Sequence, residues 1–348
     1  VKLCVIARAD ETGLGIQSRN WVRLLNPDKI IVIDSTPFNN NRQHFDWYDM
    51  PNAFKVNGFI KHNEINAILN GVDVLLTFEI PYSYELIRIA KMKGVKTIIQ
   101  NNWEFTDYLH NSSLPLPDLL VNHSYWHLEE QKKRWPQITE YCATPVFLED
   151  YELIYQQNLN RSKDKKRFLH IAGRKTYEDR NGTQDLIEAM KLVPQELDFE
   201  LVIKTQSTEV GDSIDSRIII DRTPPDNEKE LYRDFDAMIM PRRYGGACLP
   251  MNESLASGLP VIMTDIDPNY KVLPKEWLVS ATKVTSFMAR TRIDVYSVNH
   301  QKLADKIGEL VFADLNSYKK KAHKIAEKKY SSEAIKEKWA LLLEKLGV

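Results

Sequence analysis

Short apolar, β-branched runs alternate along the chain with amphipathic stretches, and this alternation limits the folds open to it. LCVIA (3–7), IIVID (30–34), DVLLTF (73–78), TIIQN (97–101) and DLLVN (118–122) have the length and composition of buried strands. SYELIRIAKMKG (83–94) has helical apolar spacing and closes on Gly94, and SYWHLEEQKKRW (124–135) reads as a further helix. Past a polar stretch the alternation resumes. Strands are expected at 167–173, 199–205, 216–221, 237–241 and 260–265, and helices at 183–194, 227–235 and 253–258. Helices at 301–311, 317–330 and 332–346 complete the pattern. Strand–helix alternation of this kind specifies parallel sheets covered on both faces.

At 348 residues the chain is long enough for two domains of about 150 residues. The seam is expected in 151–167, where RSKDKKR carries five bases against one acid and reads as a solvated linker rather than a nucleic-acid patch. The expected halves are residues 1–155, joined by the C-terminal helix 332–348, and residues 160–331. The formal net charge is −1, so the whole molecule has no electrostatic reason to hold nucleic acid or an anionic membrane. The first 150 residues carry 15 basic and 18 acidic residues and the remainder 32 and 30, which makes the second half the better host for an anionic ligand. Cys4, Cys142 and Cys248 are scattered, which argues against a disulfide framework and for a cytoplasmic setting. No apolar run is long enough to span a bilayer.

The most informative segment runs from Pro241 to Val261, PRRYGGACLPMNESLASGLPV. It reads as a strand end, a Gly245-Gly246 turn and a helix carrying Glu253. Adjacent glycines let a backbone approach a ligand closely, and the free N–H groups of a helix N-terminus favour negative charge. A carboxylate at Glu253 can accept two hydroxyl hydrogen bonds, as a ribose diol would offer.

This segment resembles the signature of retaining GT-B glycosyltransferases of the family-four, or group 1, type, roughly P-S-x-Y-E-G-F-G-L-P-x-x-E-A-M-A-C-G-x-P-V. Pro241, Tyr244, Gly246, Leu249, Pro250, Glu253, Ala256, Gly258, Pro260 and Val261 stand in register with it. Gly173-Arg174 resembles the family's F-x-G-R strand end, Arg180 falls where a Lys is usual, and Asp185–Ala189 and Asp226–Asp236 resemble two further elements. The resemblance covers about 167–270 and implies an α/β GT-B fold, two Rossmann-like α/β/α domains facing each other across a cleft.

It also implies roles. Arg174 and Arg180 would neutralise the diphosphate of a nucleotide-sugar donor, with Gly173 at the strand end beside them. Tyr244, Gly245, Gly246, Ala247, Cys248 and Leu249 would line the donor through their backbone, and Glu253 would bind the ribose. The implied reaction moves a hexose from a UDP- or GDP-sugar to an acceptor hydroxyl with retention, without metal or further cofactor. The first glutamate of the family's E-x7-E pair is missing, because Gly245 stands in its place.

In the first half, Thr12-Gly13-Leu14-Gly15-Ile16-Gln17 follows the first strand and resembles the Gly-rich loop that such enzymes place under the donor phosphate and acceptor. Loops at strand ends nominate Glu79, Asn102, Glu104 and His123 as acceptor-side residues. Asp234-x-Asp236 and Asp265-x-Asp267 have structural explanations, and no metal is expected there. The acceptor is expected to be a sugar or glycoconjugate, with a modified DNA base as a further option, and the basic helix 317–330 is a candidate for peripheral membrane contact. Two other readings of the same residues are a GT-B-like nucleotide-sugar epimerase and a non-catalytic nucleotide-sugar-binding protein.

Overall fold

The computed structural model describes the chain except residues 39–43, 112, 162–164, 174–176, 207–209, 211–214 and 225–226. The elements run β1 (Leu3–Arg8), α1 (Gly13–Leu25), β2 (Lys29–Asp34), β3 (Ala53–Asn57), α2 (His62–Leu69), β4 (Val74–Phe78), α3 (Tyr84–Met92), β5 (Lys96–Asn101), β6 (Leu119–Asn122), α4 (Leu128–Arg134) and β7 (Thr139–Tyr141). They continue with α5 (Glu152–Leu159), β8 (Lys166–Gly173), α6 (Thr183–Met190), β9 (Phe199–Thr205), β10 (Ile218–Asp221), β11 (Ala237–Met240), α7 (Leu249–Ala256), β12 (Val261–Thr264), β13 (Leu278–Val279), β14 (Ala281–Met288) and β15 (Arg292–Val298). Helices α8 (His300–Phe312), α9 (Asn316–Tyr330) and α10 (Ser332–Leu346) follow. The chain divides into two units, Val1–Pro145 with Ser332–Val348, and Val146–Ser331.

The first unit carries a parallel sheet in the order β3-β2-β1-β4-β5-β6-β7. Its central strands are buried along their whole length, which is why they read as unbroken apolar runs. Order reverses between β1 and β4, so the crevice of this sheet opens at their carboxyl ends. The expected loop at 12–17 is instead the start of α1. Thr12 caps it by accepting from Gly15 N–H at 3.3 Å, and Asn26 ends it in the left-handed conformation. Helix α10 belongs to this unit, with Trp339 packed on Trp21 at 5.4 Å between ring centroids.

The second unit carries a parallel sheet in the order β10-β9-β8-β11-β12-β13 and an antiparallel hairpin, β14-β15. Its order reverses between β8 and β11. The stretch expected to be a linker holds α5, which belongs to this unit, so the division falls at 145/146 rather than near 155. Buried Asn158 explains why this segment is fixed. Its Nδ2 donates to the carbonyls of Tyr232 and Ser257, both at 2.9 Å, and its Oδ1 accepts from Asp234 N–H. Basic Arg161, read as part of a solvated run, instead bonds Asp236 at 2.5 Å, and Lys319 Nζ reaches the same carboxylate at 2.9 Å. The expected helix at 227–235 is a short 3-10 turn, Glu228–Tyr232.

Candidate functional site

The switch point of the second sheet brings together two loops, one after β8 and one after β11. Gly182 caps α6 with φ +73, and a Cβ there would stand 2.1 Å from the carbonyl oxygen of Pro241, so only glycine permits the approach. Arg243 N–H donates to the carbonyl of Arg180 at 2.9 Å, and the Arg180 guanidinium lies 4.9 Å over the Tyr244 ring. Tyr244 is buried, with Phe287 of the hairpin edge-on at 5.2 Å. The Tyr244 ring therefore supports the loop from within, between a cation and a hairpin. Arg243 ties the loop to the hairpin through Tyr296, whose N–H donates to its carbonyl and whose carbonyl accepts from its Nε, both at 3.0 Å.

Glu253 sits on α7, which begins at Leu249 with Pro250 in its first turn, where a missing N–H costs nothing. Tyr232 OH donates to Glu253 Oε2 at 2.5 Å. Burial, and then the neighbouring Glu253 charge, push the Tyr232 phenol well above its usual range, so it stays protonated and donating. Tyr232 was not singled out from sequence, although it lies in the element resembling the family's Asp226–Asp236 stretch. Cys248 is buried with its sulfur 3.8 Å from that of Met240, so its backbone alone can face a ligand. Gly245 adopts φ +114, and a Cβ there would meet Arg242 Nη2 at 2.7 Å. The side chain that the family pattern places at 245 is thus disfavoured by the positive φ, and it would require the end of the Arg242 side chain to shift. Gly173 has φ +72 at the end of β8. Arg174 lies outside the described residues.

In the first unit, Gly13, Glu79, Asn102, Glu104 and His123 all follow the carboxyl ends of the neighbouring strands β1, β4, β5 and β6. A Cβ on Gly13 would meet open space, whereas one on Gly15 would stand 1.8 Å from the Asp10 carbonyl oxygen. Gly15 therefore lets α1 dock closely against Asp10. Asn102 precedes, and Glu104 lies within, a one-turn 3-10 helix, Trp103–Phe105. His123 is buried, neither ring nitrogen has a partner among the described residues, and burial lowers its pKa to about 4. It is a neutral imidazole at neutral pH.

A feature missed from sequence is the buried ion pair Arg8–Asp10 at the tip of β1. Arg8 Nε donates to Asp10 Oδ2 at 2.8 Å, and Ser35 Oγ donates to the same oxygen at 3.0 Å. Burial pushes the Asp10 carboxyl up, but hydrogen bonds from Thr12 and the Arg8 charge outweigh it and hold the pKa below 3.8.

Residues 166–310 match the family model described as glycosyl transferases group 1. A comparison with curated proteins finds no match. Among solved structures, a glycosyltransferase from Rickettsia africae is 15% identical with a TM-score of 0.67, covering 99% of this chain and 98% of that one. Sucrose-phosphate synthase from Thermosynechococcus elongatus is 14% identical with a TM-score of 0.64, covering 99% and 98%. Anabaena HepE, solved in complex with UDP, is 11% identical with a TM-score of 0.65, covering 99% and 100%. The chain therefore has the GT-B fold, and its residues 166–310 are similar to the glycosyl transferases group 1 family.

Proposed function

We propose that the protein is a retaining hexosyltransferase that moves a hexose from a nucleotide diphosphate sugar to an acceptor hydroxyl. The observation that carries this reading is Glu253, held by a protonated Tyr232 beside a glycine turn and the N-terminus of α7. An ionised, oriented carboxylate suits a ribose diol, and helix N–H groups suit a phosphate. Arg180, with Arg174, supplies positive charge against the diphosphate as the sugar departs. The acceptor oxygen bonds to the anomeric carbon on the face from which the diphosphate leaves. The carbon–oxygen bond to phosphate breaks, and the leaving phosphate takes the acceptor proton. Charge is stabilised by arginines and amides, so this route calls for no metal and no strong protein base. HepE has also been solved with UDP-glucose, which favours UDP as the nucleotide. The donor would lie mainly on the second unit, and the acceptor would be a sugar or glycoconjugate. Three free cysteines suit a cytoplasmic setting, and among the described residues no helix is long and apolar enough to cross a membrane.

The test is a thermal-shift screen of UDP-, GDP- and ADP-sugars, followed by product analysis with and without acceptor. One nucleotide series should raise Tm by mass action, corresponding to about 2.7 kcal/mol at a hundredfold excess over Kd. Glu253→Ala should weaken that binding about tenfold, as expected for loss of hydrogen bonds to a charged group. Turnover without acceptor would indicate an epimerase, and binding without turnover a carrier. No shift with any nucleotide sugar overturns the proposal.

A further inference from the structure

Arg242 is the buried cation of the loop after β11, only 5% exposed. Its Nε donates to the Tyr244 carbonyl at 3.0 Å and its Nη2 to the Ala247 carbonyl at 3.2 Å. Among the described residues no carboxylate pairs with it, and its Nη1 has no hydrogen-bond partner. Three of the four other buried Lys and Arg side chains among the described residues are treated differently: Arg8 faces Asp10, Arg217 faces Asp215 and Lys319 faces Asp236, while Lys166 alone shares the lack of a carboxylate. Arginine cannot shed its proton to escape burial, so a guanidinium held by carbonyl dipoles alone is an unbalanced charge. The imbalance lies at the carboxyl end of a strand beside the sheet's switch point, where open α/β sheets take their ligands. It also coincides with two departures from the signature. The pattern has Ser at 242 and Glu at 245; here Arg242 stands with its Nη2 2.7 Å from where a Cβ on Gly245 would be. One exchange adds a positive charge, the other removes a negative one, and the two positions touch.

We infer that Arg242 is an anion-binding residue of this site, taking an oxyanion of the ligand that serves as its counter-ion. Two sources present that chemistry: the diphosphate of a nucleotide and the carboxylate of an acidic sugar. The inference rests on the reading of 241–248 as the donor loop.

The test is calorimetric titration of the intact chain with inorganic pyrophosphate, UDP, GDP, UDP-glucose and UDP-glucuronate. Wild type is compared with Arg242→Gln, which keeps an N–H donor for the two carbonyls and removes the charge. The variant should lose roughly tenfold or more in affinity for the anion that Arg242 holds. A loss shared by pyrophosphate and the nucleotides assigns the diphosphate, and a loss confined to UDP-glucuronate assigns the sugar carboxylate. If Arg242→Gln does not fold, Arg242→Lys replaces the fork by a point charge and should still lose several-fold. Folded variants that bind every ligand as wild type does overturn the inference and leave the nucleotide-sugar reading standing. Loss of pyrophosphate binding, with no nucleotide bound even by wild type, upholds Arg242 and overturns the nucleotide reading. No binding of any of these ligands by wild type overturns both.

Discussion

The carboxyl ends of β1 and β11 solve the same problem in opposite ways. Each presents a buried arginine beside glycines and a helix start. At β1, Arg8 is neutralised by Asp10, whose carboxylate also accepts from Ser35 Oγ and Thr12 N–H, and Gly15 serves helix packing. At β11, the Arg242 guanidinium meets only carbonyls among the described residues, and nearby Gly245 is held at φ +114. The first loop is electrostatically complete by itself, whereas the second is completed by what it binds. A Gly-x-Gly at a strand end is thus no guide to which loop holds a ligand; the charge balance around it is.

Three experiments bear on this contrast. Asp10→Ala removes the counter-ion and leaves Arg8 unpaired, and should cost on the order of 3–5 kcal/mol in denaturant melts. The same pair sets a pH signature. Because the folded pKa of Asp10 lies below 3.8, its contribution is fully present above that value and fades as the pH falls below it. Asp10→Ala should therefore flatten the acid limb of the stability curve, and an unchanged limb would remove the pair from the comparison. Gly15→Ala forces a methyl against the Asp10 carbonyl and should cost about 3 kcal/mol, while Gly13→Ala, with open space around it, should stay within about 0.5 kcal/mol. Equal melting temperatures for the two would refute the packing role of Gly15. Tyr232→Phe should lower stability by only about 1 kcal/mol. It should also weaken nucleotide binding several-fold while leaving pyrophosphate untouched, a split that separates the ribose end of the site from its anion end.

Much of this was legible in the sequence where burial is complete on both faces of a strand. Val74–Phe78 and Ala237–Met240 are sealed throughout, so their apolar runs carry their own signal. Helix α1 was misread because its first turn holds two glycines and its buried face includes Gln17 and Ser18, which mask the apolar period. The hairpin β14-β15 escaped notice because β14 is largely exposed and polar, so nothing in its composition demands a partner. The linker reading of 151–167 failed on Asn158 and Arg161, polar residues that are bound rather than solvated. At the site, Gly246, Pro250 and Glu253 could be recognised by spacing. Tyr232 and Arg242 could not, because their roles depend on contacts with Glu253 and with the carbonyls of Tyr244 and Ala247, which only folding creates.

The assignment of α10 to the first unit has a consequence for biogenesis. The second unit is one uninterrupted stretch, Val146–Ser331, but the first needs Trp339 against Trp21, partners more than three hundred positions apart. On the ribosome the lobe begun earliest must wait longest to close its core, so nascent chains should expose it while the later lobe is already formed. Truncation within the last helix should then leave nucleotide binding measurable and destabilise the first unit alone.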